Sequence, residues 1–539
     1  MDGCRDVYAI PLAEVIEERS PRRIFPKTPR RVTVADTRLN PTQTYSTKPA
    51  SFVPRVSQAR TFVHLGVHLV LALAAGLALR LFFITHISPF TGDTKFYEEL
   101  AKNWLYHGVY GLFVNGQLFP VDMRMPGYPA FLAAIYAVFG RGGKAILYVQ
   151  AAVDLATCVL AALIAARLAP AHKRKVVAIV ALWLAALCPF TASYSAVVLT
   201  EVLATFLTTL ALLIFAFALS DPDLQRPLDS FERKSLLSFV GWFLFGGIIV
   251  GVGTLVRPEA PLLLVAMGLV LVVRWRRRAD WSKLVLATAW MAVGLLIPLA
   301  PWAARNARTM GRIEFLAPRF AETNGDFIPR GFYEWTRTWM TKFGEAYLAP
   351  WKLDKAPIRV DTLPDSAFDT AAERARVETL LNRYNSDLDM SPVLDREFAQ
   401  LARERTVRHP LRTYFSIPVS RAWTMWFTPR IELLPYSGKL WPPGEYWRGN
   451  PTDFGVTLGY GILNCIYLGL ALAGAWRCRK HPALALLVTF IVVRTAFLTQ
   501  LQTVEPRYVV VCFPAILAIG AVAFAISKRD IRAGGDWQA

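Results

Sequence analysis

Long apolar runs alternate with short polar segments along most of this chain. A helix needs roughly 20 apolar residues to cross the hydrocarbon core of a bilayer, and ten stretches reach or approach that length. Their limits are 62–84, 145–167, 176–191, 196–219, 236–256, 259–275, 282–304, 456–476, 483–499 and 507–526. The pattern predicts an all-α polytopic membrane protein with about ten transmembrane helices.

Two further apolar stretches fit a membrane span less well. Residues 126–140 are short for a span, and residues 414–427 are interrupted by Pro418 and Arg421. Both are predicted to lie at the membrane interface. The sequence leaves open whether either of them is re-entrant or crosses the membrane.

The short loops between the apolar runs predict one orientation. If the amino terminus is cytoplasmic, every short loop on the cytoplasmic side is basic, in agreement with the positive-inside rule. These loops are 167–175, 226–234, 274–283, 477–480 and 528–532. The same orientation places two large segments outside, residues 85–144 and residues 305–455.

The domain organisation follows from these spans and loops. Within the second outer segment, 305–455, residues 369–385 and 393–408 have helical patterns. The predicted parts are a cytoplasmic, disordered basic tail (1–61), a membrane domain (62–304) with its first outer loop (85–144), a small mixed extracytoplasmic domain (305–455), C-terminal transmembrane helices (456–526) and a cytoplasmic tail (527–539).

Composition supports a membrane protein over a nucleic-acid-binding one. The 539 residues are 54% hydrophobic and only 19% charged, and the mean hydropathy is +0.34. The formal net charge of +20 lies mostly in the tails and loops that flank apolar runs. Membrane topology therefore explains the basic excess, and no nucleic-acid partner is expected.

The first outer loop holds the most informative polar residues. After Asp93, apolar side chains recur at helical spacing, and polar side chains occupy the opposite face, which predicts a helix lying on the outer membrane surface. The apolar positions are Phe96, Tyr97, Leu100 and Trp104, and the polar ones are Lys95, Glu98, Glu99, Lys102 and Asn103. Asp93 is either the N-terminal cap of this helix or a functional acid, and position alone leaves both open.

Metal, nucleophile and nucleotide motifs give little support to other chemistries. The seven histidines form no ligand set, because His64 and His68 lack a third partner and no His-Glu-x-x-His occurs. No metal site is therefore expected, although a divalent cation aided by Asp93 stays open. Nucleophile triads, a Walker loop and a dinucleotide fingerprint are absent from the sequence. The glycines of 246–253 favour close helix packing.

Several short motifs resemble those of one enzyme superfamily. An acid after the first span, Tyr97 four residues later and a Gly-Val-Tyr-Gly turn at 108–111 precede a basic residue before Pro-Gly-Tyr-Pro at 126–129. Weaker matches are Leu-Thr-Glu at 199–201, Val-Arg-Pro at 256–258, Pro-Trp at 301–302 with Arg-Asn at 305–306, and Arg-Tyr at 507–508. The chain thus resembles GT-C integral membrane glycosyltransferases, in particular the aminoarabinose lipid A transferases and protein O-mannosyltransferases.

The resemblance implies a hexosyl- or pentosyltransferase that uses a polyprenyl-phosphate-sugar donor and inverts the anomeric carbon. The acceptor would be a lipid, glycan or protein at the outer face of the membrane. Asp93 matches the catalytic carboxylate, and Arg124 matches in place a phosphate-binding lysine. The remaining candidates are Arg257, Arg305 and Arg507 as donor-phosphate ligands, and Tyr97, Tyr128, Glu201 and Tyr508 as substrate-lining residues.

Charges in or beside the apolar runs support a shared site. A charge near a helix centre costs roughly 2.5–3.5 kcal/mol on insertion scales, so such residues usually face a cavity or a partner. The set comprises Asp154, Glu201, Arg257, Glu259, Arg494 and Arg507. On the predicted topology all but Asp154 lie towards the same side as Asp93. For Arg257 and Arg305, snorkelling to the headgroups is the alternative.

Two rival functions remain. A transporter or flippase of lipid-linked sugars would also carry charges in its spans, but the sequence shows no internal repeat between its two halves. An inactive relative that only binds undecaprenyl phosphate is the other alternative. The expected location is the bacterial inner membrane, with the active site facing the periplasm.

Overall fold

The computed structural model describes residues 55–140, 143–277, 280–318 and 327–525. The tail predicted at 527–539 and most of the tail predicted at 1–61 lie outside these residues. The described chain is predominantly helical, with one short β-hairpin, which confirms the prediction of an all-α polytopic fold.

In the part of the chain up to Met310 that the structure describes, ten α-helices and one β-hairpin are present. They are α1 (Arg55–His86), α2 (Gly92–His107), β1 (Gly111–Val114), β2 (Gln117–Pro120), α3 (Gly127–Phe139), α4 (Gly143–Leu168), α5 (Arg174–Ala186), α6 (Pro189–Ala192), α7 (Glu201–Leu219), α8 (Arg233–Val256), α9 (Leu262–Arg274) and α10 (Trp281–Met310). The strands pair antiparallel, with Gly111 opposite Pro120.

The second half adds eight helices. They are α11 (Arg330–Arg337), α12 (Ala371–Asp387), α13 (Pro392–Arg408), α14 (Ile417–Phe427), α15 (Pro443–Gly449), α16 (Pro451–Arg477), α17 (Pro482–Leu498) and α18 (Phe513–Ala521). A 3₁₀ turn, Pro506–Cys512, leads into α18.

Within the described residues, seven helical segments are long and apolar enough to cross a membrane. They are Leu65–His86, Gly143–Leu168, Glu201–Leu219, Arg233–Val256, Trp281–Met310, Pro451–Arg477 and Pro506–Phe524. An eighth span forms if the pair Ala171–Ala186 and Pro189–Ala196, bent by 48°, counts as one. The sixth and ninth predicted spans, 259–275 and 483–499, correspond to α9 and α17, which have only 13 and 17 residues.

Small residues allow α8 and α10 to approach closely. A Cβ atom on Gly247 of α8 would collide with the carbonyl oxygen of Met291 in α10, and one on Gly294 would collide with the carbonyl oxygen of Leu244. The glycines therefore serve helix packing in the bundle, as the sequence indicated.

Both stretches with an ambiguous membrane course are short helices. Residues 126–140 correspond to α3, which packs on α8 so closely that a Cβ on Gly127 would lie 2.6 Å from the carbonyl oxygen of Leu255. Residues 414–427 correspond to α14, which follows a π-helical turn at Arg412–Ser416. α3 thus places the end of the first loop directly beside the end of α8.

The described part of 305–455 is helical and contains no β-strand, where the sequence suggested a mixed domain. Its first residues continue α10 as far as Met310. The two stretches with helical patterns form α12 and α13, which pack with α11 around a core that includes Trp335 and Phe398. Arg405 lies completely buried in this domain and pairs with Glu373.

Candidate active site

Asp93 lies in the first turn of α2, immediately after the first membrane helix. The helix begins at a capping pair, since the backbone N–H of Thr91 donates to Thr94 Oγ1 at 3.0 Å. Thr94 Oγ1 in turn donates to the carbonyl oxygen of Val198, which ties α2 to the segment before α7. Asp93 is therefore not the cap, and its carboxylate points to other partners.

Two arginines from distant parts of the chain flank the Asp93 carboxylate. Arg124 Nη2 lies 3.5 Å from Asp93 Oδ1, and Arg507 Nη2 lies 3.3 Å from Asp93 Oδ2. The Tyr110 hydroxyl donates to the carbonyl oxygen of Arg124 at 2.9 Å, which fixes the backbone that carries this guanidinium. The first loop thus supplies one arginine, and the segment before α18 supplies the other.

Alternating charges extend from Arg507 into the bundle. Glu505 Oε2 lies 2.5 Å and Glu201 Oε1 lies 3.9 Å from Arg507 Nε. Arg257 then bridges two acids, with distances of 3.0 Å to Glu201 and 2.7 Å to Glu259.

The chain of ion pairs ends at Arg494, whose Nη2 lies 3.1 Å from Glu259 Oε1. We call this set the acid–arginine cluster: Asp93, Glu201, Glu259, Glu505, Arg124, Arg257, Arg494 and Arg507. Its members lie at or near the ends of α2, α7, α8, α9 and α17 and at the start of the last span. The cluster therefore marks the end of the bundle at which these helices meet.

The acid–arginine cluster is open at one end and buried at the other. The side chains of Asp93, Arg124 and Arg507 are 31%, 26% and 24% exposed. The side chains of Glu201 and Arg494 are 2% and 3% exposed. Four acids balance four arginines, which offsets the cost of burying the inner charges. Solvent-borne or membrane-borne groups thus reach Asp93 and its two arginines first.

Two tyrosines pack beside Asp93, and their roles differ. Tyr97 lies one helical turn after Asp93, and its ring meets that of Tyr128 edge to face at 5.1 Å. Burial and the neighbouring charge of Asp93 raise the pKa of Tyr97 to about 12, so its hydroxyl stays neutral. Tyr128 is completely buried, and its hydroxyl donates to Gln150 Oε1 at 2.7 Å. Tyr128 therefore supports Tyr97 from behind and does not face the open side.

Tyr508 connects three members of the cluster. Its hydroxyl donates to Glu505 Oε1 at 2.7 Å, and the Arg257 guanidinium lies 5.6 Å from its ring centre. Arg494 donates to the carbonyl oxygen of Tyr508. Tyr508 thus braces the acids and arginines around Arg507.

Arg305 makes its contacts away from Asp93. It donates to the carbonyl oxygens of Val121 and Tyr110 at 2.8 and 2.7 Å, and its guanidinium lies over the rings of Tyr110 and Trp302. These contacts hold both ends of the β-hairpin against α10. Arg257, by contrast, pairs with two acids, so the snorkelling alternative does not describe it.

Two charged residues in the structure, Glu505 and Arg80, are not among the candidates predicted from the sequence. Glu505 is buried and contacts both Arg507 and Tyr508. The sequence signal that could have identified it is an acid two residues before an arginine at the start of a span. Arg80 is completely buried within α1 and pairs with Asp154 of α4 at 2.5 Å. Its position inside an apolar run carried the same signal that singled out Asp154.

The residues around Asp93 do not fit a metal site. Within the described ranges, no group of three His, Cys, Asp or Glu side chains could hold a metal ion. The two nearest charged neighbours of Asp93 are guanidinium groups, whose charge opposes a divalent cation. The arrangement suits an anionic ligand that accepts hydrogen bonds from two arginines.

The fold and the cluster together define an all-α polytopic membrane protein with charged groups gathered where several helix ends meet. No protein-family model matches its sequence, and no curated protein matches it. Solved structures similar to this chain include the oligosaccharyltransferase AglB from Archaeoglobus fulgidus, in complex with an inhibitory peptide and a dolichol-phosphate. For AglB the identity is 12% and the TM-score 0.46, over 86% of this chain and 50% of AglB.

ArnT from Cupriavidus metallidurans is also similar, both in the apo state and bound to undecaprenyl phosphate. The bound form shares 14% identity and a TM-score of 0.36, over 84% of this chain and 77% of ArnT. This chain thus spans about half the length of AglB and about three quarters of ArnT.

Proposed function

We propose that this protein is an inverting glycosyltransferase that moves a sugar from a polyprenyl-phosphate-linked donor to an acceptor at the outer membrane face. The observation that carries the proposal is the partly exposed Asp93 carboxylate between the guanidinium groups of Arg124 and Arg507. Displacement at an anomeric carbon bonded to phosphate is assisted by a base for the attacking hydroxyl and by cationic groups that bind the departing phosphate, and these groups meet here. The proposed donor belongs to the same chemical class as the lipid phosphates in the AglB and ArnT structures.

Asp93 acts as the general base in this proposal. It accepts the proton of an acceptor hydroxyl while the acceptor oxygen forms a bond to the anomeric carbon. The bond from that carbon to the phosphate oxygen breaks, and the electron pair leaves with the lipid phosphate. Attack opposite the leaving group inverts the configuration. A positioned base of this kind contributes about 10² to 10⁴ in rate.

Arg124 and Arg507 stabilise the departing phosphate. Their N–H groups lie at the long end of ion-pair distances from Asp93, 3.5 and 3.3 Å. A donor phosphate would compete with Asp93 for these N–H groups, because its oxygens can accept hydrogen bonds from both guanidinium groups at once. The Asp93 oxygens would then be available to the acceptor proton.

The buried part of the cluster positions Arg507. Glu505 and Glu201 lie on its Nε side, and Arg257 holds Glu201 from behind. We therefore assign Arg257 a positioning role and keep phosphate contact for Arg124 and Arg507. Arg305 orders the hairpin that follows α2, and Tyr97 lines the approach to Asp93.

The membrane arrangement fits a lipid-linked donor. Phe90, Phe96 and Trp104 are exposed around α2, as expected for a helix at a membrane surface. On the topology predicted from the sequence, the basic loops belong to the opposite ends of the spans from Asp93, which favours a cytoplasmic position for those ends and a periplasmic one for Asp93. A bacterial inner membrane is the proposed location, and a lipid, a glycan or a protein is the proposed acceptor class.

The test is sugar transfer by the purified protein in proteoliposomes. Polyprenyl-phosphate donors radiolabelled in a hexose or a pentose are supplied with lipid, glycan and peptide acceptors, and labelled products are separated. Transfer by the wild type that is lost in Asp93→Asn supports the proposal. Movement of the labelled lipid between leaflets without product would support a flippase, and donor binding with neither activity would support an inactive relative.

A further inference from the structure

A cavity with several charged residues on its wall lies outside the acid–arginine cluster. Its volume is about 400 Å³, within the range of small-molecule sites. It is enclosed by α11, α13, α14 and the end of α17, and it shares no lining residue with the cluster. The charged side chains on its wall are Glu334, Arg337, Arg403 and Arg421.

Arg421 is the central feature of this cavity wall. Its side chain is only 1% exposed, although it carries a full charge. Nε donates to the carbonyl oxygen of Met340, and Nη1 donates to those of Thr499 and Leu501, at 2.8–2.9 Å. Nη2 has no hydrogen-bond partner within the part of the chain that the structure describes. A buried guanidinium nitrogen without an acceptor indicates a place for an anionic ligand.

The charged side chains that line the cavity are predominantly positive, although Glu345, which does not line it, acts on Arg421 in the opposite sense to Arg337. Burial and the nearby charge of Arg337 lower the pKa of Arg421 to about 10, so it remains protonated at neutral pH. Arg403 adds a further positive charge to the wall, and Glu334 is the one acid that lines it. Three arginines against one glutamate favour a ligand with more than one negative oxygen, and phosphate is such a group.

An exposed apolar stripe runs beside the cavity. Six apolar side chains occur at intervals of four residues from the end of α13 through α14, and all six are exposed. They are Val407, Leu411, Phe415, Val419, Trp423 and Phe427. His409 interrupts the helix after Val407, and the other five follow it up to the end of α14. The rings of Trp423 and Phe427 stack at 4.0 Å. A run of exposed apolar side chains of this kind is typical of a segment that lies against lipid.

We propose that the cavity binds the phosphate headgroup of an anionic membrane lipid, with the apolar stripe against its acyl chains. The phosphate oxygens accept hydrogen bonds from Arg421 Nη2, Arg337 and Arg403. The stripe favours a lipid over a soluble phosphate, because a free phosphate would gain nothing from it. This inference does not rest on the proposed sugar transfer, since it concerns a separate set of residues.

Binding to the full-length protein in a nonionic detergent tests the proposal. The probes are dihexanoyl phosphatidylglycerol, dihexanoyl phosphatidylcholine and inorganic phosphate, and the readouts are the dissociation constant and the shift in Tm. We expect the anionic lipid to bind most tightly and to raise Tm. Equal binding of phosphatidylcholine overturns the proposal. Inorganic phosphate that binds as tightly as the anionic lipid identifies a soluble phosphate as the ligand and overturns the lipid assignment.

Variants locate the binding to this cavity. The double substitution Arg337→Gln with Arg403→Gln is expected to weaken phosphatidylglycerol binding roughly tenfold. Arg396→Gln, an exposed arginine on the same helix α13 that does not line the cavity, is the matched control and leaves binding unchanged. Arg421→Met is expected to abolish binding. If that variant fails to fold, the double variant decides, and unchanged affinity in it overturns the proposal.

Discussion

Arg507 Nη2 lies 3.3 Å from Asp93 Oδ2, although 414 residues separate them in the chain. The contact joins the first turn of α2 to the turn that begins the last span. It brings the first-loop acid, which the sequence singled out, together with an arginine that the sequence offered as one of several donor-phosphate ligands without assigning it a contact to Asp93. Three of the predictions below follow from this part of the structure.

Asp93→Asn is expected to lower the rate of sugar transfer by a factor of about 10² to 10⁴, because the amide of Asn cannot take up the proton of the attacking hydroxyl. The measurement is product formation from a labelled polyprenyl-phosphate-sugar donor in proteoliposomes. Glu98→Gln, an acid on the same helix that pairs with Lys102, serves as the control and should retain activity. Wild-type turnover in Asp93→Asn would remove Asp93 from the mechanism.

Arg124→Gln is expected to raise the donor KM about tenfold or more, since a charge-assisted hydrogen bond to phosphate is lost. The acceptor KM should change little. Arg308→Gln removes an exposed arginine of α10 and is the matched control. An unchanged donor KM in Arg124→Gln would show that this guanidinium does not bind the donor.

The two tyrosines beside Asp93 should respond differently to loss of the hydroxyl. Tyr97→Phe is expected to reduce kcat about tenfold, as for one hydrogen bond lost near the reacting groups. Tyr128→Phe is expected to destabilise the protein by roughly 1–3 kcal/mol, because Gln150 Oε1 loses its donor, and to keep kcat. Transfer assays and thermal unfolding in detergent separate the two effects. A loss of kcat in Tyr128→Phe together with a loss of stability in Tyr97→Phe would contradict these assignments.

The Arg80–Asp154 pair should behave as a structural element of the bundle. Arg80 donates to Asp154 through Nε and Nη2 and to the carbonyl oxygens of Gly76 and Ala186 through Nη1. Arg80→Met or Asp154→Leu alone is expected to cost about 3–5 kcal/mol, because each leaves an uncompensated buried charge.

The double variant Arg80→Met with Asp154→Leu is expected to recover part of that loss, since no unpaired charge remains. Thermal unfolding of the wild type, the two single variants and the double variant in one detergent gives the coupling free energy between Arg80 and Asp154. Additive losses in the double variant would show that the two side chains do not act as a pair.

The helical domain of α11–α13 should lose stability in acid. Burial alone would raise the pKa of Asp369, but hydrogen bonds from Arg412 and the charge of Arg405 lower it. Its contribution is therefore present above the unfolded Asp pKa of about 3.9 and is lost as the pH falls through the lower folded value. Hydrogen-exchange protection of α12 and α13, corrected for intrinsic rates, measures this loss.

Asp369→Asn should show a smaller acid-induced loss of protection than the wild type. Asp387→Asn, an exposed residue at the end of α12, is the control and should retain the wild-type pH profile. Identical profiles for all three proteins would show that Asp369 does not contribute to acid sensitivity.

The bundle and the candidate acid were accessible from the sequence because hydropathy and loop charge report on single segments. The ten apolar runs all correspond to helices, and topology grouped Glu201, Arg257 and Arg507 on one side. The partner of each charge was not accessible, because it depends on how helices rotate and pack. Arg305 illustrates this, since its position near a span end suited a phosphate ligand while its contacts go to backbone carbonyls of the first loop.

Buried features without a periodic signal were also out of reach. The break at Pro189 bends one predicted span by 48°, and the shortening of α9 follows from a turn that places Glu259 against Arg257 and Arg494. The cavity around Arg421 is formed where α11, the consecutive helices α13 and α14, and the end of α17 meet, three parts of the chain that are distant in sequence. No local pattern could have predicted it.

The position of Arg507 also sets the order in which this protein matures during biosynthesis. Asp93 and Arg124 leave the ribosome hundreds of residues before the segment that completes their surroundings. Because Arg507 and Glu505 are synthesised so late, the ion pairs of the earlier helices remain incomplete until residues 505–507 have entered the membrane. A nascent chain arrested before residue 505 would therefore carry Asp93 without its second arginine.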